Sequence, residues 1–372
     1  SLSLPLSHLQ LENKVLLKRI VNAILFILFF GITLYIILAK NDMNEIILHI
    51  KDANINYILI ALGCMFAYTF LEGLNIHRML RALGDKVSLA KTFKYSIVGF
   101  FFSSITPSST GGQPMQMYFM SKDGVPISHS TLSLLVQLLS FQFVTLLLAL
   151  IGFAFHYDIL LNHIGNIKYL MILGIVINVA VQSFLFIMIF RQKMGNKLID
   201  FFHHFLTRIH YKKSDSFYEK AKIQLEEYHR CAEYLKENKK ILILTIITTI
   251  FQMSIYHSVP YFIYRSFGLS EHSIFTFILM QAVLYISVAS LPFPGSMGVS
   301  EGSFMIIFKM FFPTAILSSA MIISRGISFY LFVLISLILI AFYVMLGKIK
   351  RNRLTPKSEK TAIKTAKKII EN

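Results

Sequence analysis

Ser103-Ser-Ile-Thr-Pro-Ser-Ser-Thr-Gly-Gly-Gln-Pro-Met-Gln116 and Leu291-Pro-Phe-Pro-Gly-Ser-Met-Gly-Val-Ser-Glu-Gly302 are two Pro/Gly-rich breaks, each set inside a long apolar region. The regions run from 92 to 120 and from 273 to 312. Proline removes a backbone donor and glycine adds conformational freedom, so neither break continues a helix. An interrupted helix in an apolar setting leaves N–H and C=O groups that only protein or a water-filled cavity can satisfy.

The surrounding chain is that of a polytopic membrane protein. Of its 372 residues 55% are hydrophobic and 15% charged, with 34 Phe and no Trp, whereas a soluble domain is about 25% charged. Six apolar stretches are long enough to cross a bilayer, at about 20–39, 56–75, 129–155, 168–190, 241–264 and 315–346. The first follows Lys14, Lys18 and Arg19 and reads as an uncleaved helix. Cys64 and Cys231 lie far apart and offer no disulfide framework or metal-ligand spacing.

Charge places the segments. The 29 residues from 92 to 120 are too few for two crossings, which need about 40, and read as a re-entrant hairpin. With an inside N-terminus and hairpins at both breaks, the basic segments all fall on the cytoplasmic side, including 191–240 with 12 Lys/Arg and the tail 347–372 with nine. The formal charge of +17 then divides into +18 on that side and −1 elsewhere, as the positive-inside rule requires. A single crossing at either break would put a basic segment outside.

The breaks also form an internal repeat. Arg81-Ala-Leu-Gly84 leads through an apolar stretch to the first, and Arg265-Ser-Phe-Gly268 leads to the second, 184 residues on. One hairpin enters from inside and the other from outside, so the repeats, about 56–155 and 241–346, are inverted. The expected fold is all-α: a single membrane domain over 1–346 with about six full transmembrane helices and two re-entrant hairpins, an amphipathic cytoplasmic segment at 191–240, and a basic tail. Paired breaks in inverted repeats mark substrate sites in transporters, and half-helix N-termini there present partial positive charge.

Candidate path residues are therefore Thr106, Pro107, Ser108, Ser109, Thr110, Gly111, Gly112, Gln113 and Gln116 at the first break, and Pro292, Pro294, Gly295, Gly298 and Glu301 at the second. Charge at the centre of a membrane helix costs about 2.5–3.5 kcal/mol on insertion scales, so such residues pair or line a cavity. Glu301 follows the second break and Arg325 lies early in the run 315–345, which predicts a Glu301–Arg325 pair. Glu72, with Asn75, His77 and Arg78 at the inner end of its helix, is a candidate rim, and Gln137 and Gln142 add neutral hydrogen-bonding groups. His203, His204, His210 and His229 lack metal-pair spacing. In the same segment Leu198, Phe201, Phe202, Phe205 and Ile209 recur at helical spacing and predict a helix on the inner leaflet. No metal, cofactor or specific nucleic-acid partner is implied, and no motif of a soluble catalytic module appears.

These motifs, in this order and with Arg325, resemble the transmembrane, flippase-like domain of the lysylphosphatidylglycerol synthase family, whose best-known member is the multiple peptide resistance factor. The resemblance covers about residues 15–346. Pro292, Pro294, Gly295, Gly298 and Glu301 fit the family form Pro-x-Pro-Gly-x-x-Gly-x-x-Glu. At the first break Gln113 and Gln116 stand where an acid and an Arg are usual, which resembles a stand-alone Gram-positive branch. The lysyl transfer of fused members resides in a C-terminal soluble domain, so the resemblance implies no such activity for this chain.

The expected function is movement of an anionic, aminoacylated or glycosylated phospholipid, or of a polyprenyl-phosphate-linked headgroup, between leaflets of a bacterial plasma membrane, with both termini cytoplasmic. Its partner is then membrane phospholipid or a lipid-linked substrate, together with a separate lipid synthase or glycosyltransferase. Two alternatives share the sequence features: a secondary transporter of a small anion, and a non-catalytic membrane partner of such a synthase or glycosyltransferase.

Overall fold

The computed structural model describes residues 43–354, apart from 158–159, 161–166, 191–196, 198–199, 201–203, 205–206, 209–213, 290 and 292. The expected first helix at 20–39, the apolar set Leu198 to Ile209, His203, His210, Pro292 and most of the basic tail lie outside the described residues. The described residues form helices and turns, with no strand among them.

Among the described residues four helices are long and apolar enough to cross a membrane: α2 (Ile55–Ala82), α5 (Ile127–Phe155), the pair α8 (Lys239–His257) and α9 (Val259–Ser266), and the span from α12 (Thr314–Arg325) into α13 (Phe332–Leu354). Shorter apolar stretches occupy α6 (Ile167–Phe190) and α10 (Ile274–Val288). The protein is an all-α polytopic membrane protein. Helix α1 (Met43–Asp52) precedes α2, and α7 (Ser214–Glu237) precedes α8.

The first apolar region folds back on itself. Helix α3 (Leu89–Ser104) runs in, a single turn at Pro107–Ser109 reverses it, and α4 (Gly112–Lys122) runs out. Lys94, near the start of α3, forms an ion pair of 2.6 Å with Asp123 just past the end of α4, and Tyr95 donates to the same carboxylate at 2.7 Å. The two ends of the hairpin are thus side by side, the mark of re-entry. The second region does the same with different chemistry. Helix α10 runs in, a turn at Pro294–Ser296 reverses it, and α11 (Val299–Ile307) runs out. Phe277, near the start of α10, packs on Phe308 and Phe311 past the end of α11, with ring centroids 5.5 and 5.3 Å away. Phe304 stacks on Phe308 at 4.4 Å.

Helix α2 fixes their relative direction. Its Asn54 cap donates a backbone hydrogen bond to Ser266 at the end of α9, while Arg78 near the other end donates to Thr248 on α8. The two helices are therefore antiparallel. Helix α2 delivers the chain to the first hairpin at one end, and α9 delivers it to the second hairpin at the other end. The hairpins enter from opposite ends of α2 and meet tip to tip, the turn Pro107–Ser109 against the turn Pro294–Ser296.

Helix α7, which follows the expected leaflet helix in sequence, buries Ala232 and Leu235 against Met79, Leu132 and Val136 of the membrane helices. Glu227 on α7 and Asp85 flank His129, at 3.4 and 2.9 Å.

The base of the first hairpin gives a pH signature. Burial pushes the Asp123 carboxyl up, but hydrogen bonds from Lys94 and Tyr95 and the charge of Lys94 outweigh it, so the group sits below its ordinary value. A depressed carboxylate stabilises the fold above its unfolded value near 3.9, and that contribution is lost as pH falls through the lower folded value. Asp123→Asn is expected to cost about 1–2 kcal/mol near neutral pH, a figure reduced for partial exposure. The deficit should shrink below about pH 4, read as melting temperature against pH in detergent.

Candidate functional site

The meeting of the two tips forms one wall of a cavity of about 500 Å³. Both tips pass through left-handed backbone. Ser108 and Ser109 have φ of 50° and 56°, and Gly295 and Ser296 have φ of 56° and 51°. Such conformations cost of order 1–3 kcal/mol for a non-glycine residue and persist where surrounding structure fixes them. At the first tip, Thr106 Oγ1 accepts from the Gly111 N–H at 2.9 Å and donates to the Phe102 carbonyl at 2.7 Å. Gly112 lets the arms close, because a Cβ there would meet the Gly99 carbonyl at 2.9 Å and the Ser103 side chain.

The second tip is held by charge. Arg325, at the end of α12, donates through Nε to Glu301 Oε1 at 2.9 Å and through Nη2 to the Gly295 carbonyl at 3.0 Å. Glu301 Oε2 accepts from the Gly298 N–H at 2.7 Å, which closes the N-terminus of α11 on a carboxylate. Tyr330 donates to Glu301 Oε1 at 3.0 Å. Tyr330 reaches it from Gly326–Leu331, a π-helical turn directly after Arg325 inside what the sequence presents as one unbroken span. The Arg325 guanidinium lies 4.7 Å from the centre of the Phe329 ring. Both charges are buried, and two of the five guanidinium N–H groups are committed here.

The expected path residues divide by position. Ser108, Ser109, Thr110, Gln113, Gln116, Gly295 and Arg325 line the cavity. Thr106, Pro107, Gly111, Gly112, Pro294, Gly298 and Glu301 build the turns behind that surface, and Pro292 lies outside the described residues. Glu72 faces the cavity and accepts from Gln116 Nε2 at 2.9 Å. Arg78, its expected companion, instead points to Asn75 and Thr248, at 2.8 and 3.0 Å, and does not line the cavity. The i+6 spacing from Glu72 turns Arg78 to a different face of α2.

Sequence reasoning missed much of the opposite wall. Gln252 and Tyr256 on α8, Gln281 and Tyr285 on α10, and Asn178 on α6 all line the cavity. Asn178 bonds both Gln142 and Gln182. Each of these is a polar residue set among apolar neighbours, and each is an ordinary helix contact when read alone. No cluster of metal-ligating side chains occurs among the described residues.

Residues 19–336 match the family model described as the lysylphosphatidylglycerol synthase TM region. A protein of Archaeoglobus fulgidus named UPF0104 membrane protein is 22% identical to this chain over 315 residues, which cover 82% of this chain and 92% of that one. With a family match running from ahead of α1 into α13, through both hairpins and the Glu301–Arg325 centre, the chain belongs to the lysylphosphatidylglycerol synthase transmembrane-region family.

Proposed function

We propose that this protein is a lipid translocase of the cell membrane, passing the headgroup of an anionic, aminoacylated, glycosylated or polyprenyl-phosphate-linked lipid across the bilayer through the cavity at the hairpin tips. One observation carries the reading: two oppositely directed hairpins end in unwound turns against a cavity of mixed polar and apolar lining inside a bundle of apolar spans. A headgroup crossing hydrocarbon leaves its hydrogen bonds with water, at several kcal/mol per unpaired polar group. A wall of hydroxyls, amides and turn backbone replaces those bonds while the acyl chains stay in lipid. The Arg325 N–H groups not used by Glu301 and Gly295 supply a contact for the phosphate ester. The basic groups Arg81, Lys86 and Lys91, at the end of α2, in the loop and at the start of α3, draw anionic lipid to that face, which we assign to the cytoplasm together with both termini. The translocase works beside an enzyme that makes its lipid.

In vesicles containing the full chain and a fluorescent-headgroup lipid, the protein should speed exchange between leaflets. Arg325→Ala and Glu301→Gln should each slow it by about ten-fold or more. Exchange unaffected by either change would overturn the assignment.

The same pair makes a separate prediction about stability. Removing one member of a buried pair strands the other, at about 3–5 kcal/mol. Glu301→Gln with Arg325→Met in one chain should therefore cost clearly less than the two changes summed. Thermal melts of the four proteins would show this, and additive losses would mean that the pair does not hold the tip.

A further inference from the structure

Three helices bring the same two residue types to the cavity one turn apart. Gln137 and Phe141 lie on α5, Gln252 and Tyr256 on α8, and Gln281 and Tyr285 on α10. The i, i+4 spacing sets each amide beside its ring on one helix face. The rings join into a wall: Phe141 and Tyr285 have centroids 5.9 Å apart, Tyr285 and Tyr256 6.0 Å, and Tyr256 and Tyr68 of α2 4.9 Å.

The amides are poorly served by one another. Gln137 Nε2 donates to Gln252 Oε1 over 3.4 Å, long for such a bond. Gln137 Oε1, Gln252 Nε2 and Gln281 Oε1 have no partner among the described residues. Gln252 is fully buried and Gln137 is 7% exposed. A buried amide atom without a partner costs about 1–3 kcal/mol, and rotation of the amide toward a ligand in the cavity removes that cost.

The ligand's chemistry follows from what the wall offers and withholds. Among the described residues, Arg325 and Glu72 are the only cationic or carboxylate side chains lining the cavity. Glu301 and Gly295 take two of the five Arg325 N–H groups and Gln116 holds Glu72, so charge is a minor part of the lining. The rest of the polar lining consists of carboxamides and hydroxyls. A carboxamide presents a donor and an acceptor together, which matches a group whose every hydroxyl both donates and accepts. An aromatic face carries partial negative charge and favours the C–H-rich face of a saturated ring. One headgroup class combines many neutral hydroxyls with such a ring face.

Resting on the translocase reading above, we propose that the headgroup is a glycosyl group, its hydroxyls held by Gln137, Gln252 and Gln281 and its ring face on Tyr256 and Tyr285. The lipid carrying the sugar is either a diacylglycerol or a polyprenyl phosphate.

The test is native mass spectrometry of the full chain in detergent, titrated with four probes: glucosyl-diacylglycerol, polyprenyl-phosphate glucose, phosphatidylglycerol and lysyl-phosphatidylglycerol. At least one sugar lipid should bind about ten-fold more tightly than the last two, and the tighter of the two sugar lipids identifies the carrier. In Gln137→Leu with Gln252→Leu, and separately in Gln281→Leu, the preference should fall to about two-fold or less. The wild-type ratios alone decide if those variants do not fold. Equal binding of all four overturns the proposal, as does preference for the lysyl lipid, which would place an ammonium on Glu72. Sugar preference without leaflet exchange would overturn the translocase and leave the glycosyl site standing, whereas exchange without preference would do the reverse.

Discussion

A single guanidinium ties the second half of this molecule together. Arg325 reaches from α12 to the Glu301 carboxylate on α11 and to the Gly295 carbonyl in the turn between the arms, so the turn, the arm that follows it and α12 share one cation. The backbone of the turn lies at the end of a helix inserted among apolar spans, where each unmet polar group costs several kcal/mol. Glu301 divides its two oxygens, one to Arg325 and Tyr330 and the other to the Gly298 N–H. Open backbone, buried acid and buried base each satisfy what the others leave unmet.

The two repeats reach the same shape by different means. The first tip is closed by hydroxyls, Thr106 bridging two backbone groups, and its base by Lys94, Tyr95 and Asp123. The second tip is closed by an ion pair and its base by stacked phenylalanines. Each arrangement suits its place. The first base sits beside the basic loops, where water supports charge. The second lies within the largest apolar cluster, where an ion pair would meet the full cost of desolvation.

The fold was legible in the sequence because its evidence is redundant. Length, hydropathy and the balance of Lys and Arg each bear on the same two breaks, and the matched lead-ins Arg81 to Gly84 and Arg265 to Gly268 make them a pair. The Glu301–Arg325 contact was legible for a related reason, since two opposite charges in apolar runs have few other partners. What stayed hidden was direction. Glu72 and Arg78 look alike as polar groups near a helix end, yet one faces the cavity and the other Thr248. Gln252 and Gln281 give no sign, one at a time, that α8 and α10 turn them toward a common space. The π-helical turn at Gly326–Leu331 was hidden too, because its composition is that of any apolar helix.

That turn has an evolutionary consequence. It accommodates an extra residue yet leaves the segment after it close to the orientation a regular helix would give, because a π turn rotates less per residue than an α turn. Deleting one residue anywhere from Gly326 to Leu331 would restore ordinary helical winding with the outward face of α13 still outward, and the loss would be local, at the contact between Tyr330 and Glu301. The same deletion elsewhere in the span would swing all that follows by about 100°. Across relatives, the last span should therefore keep its outward face whether or not the extra residue is there.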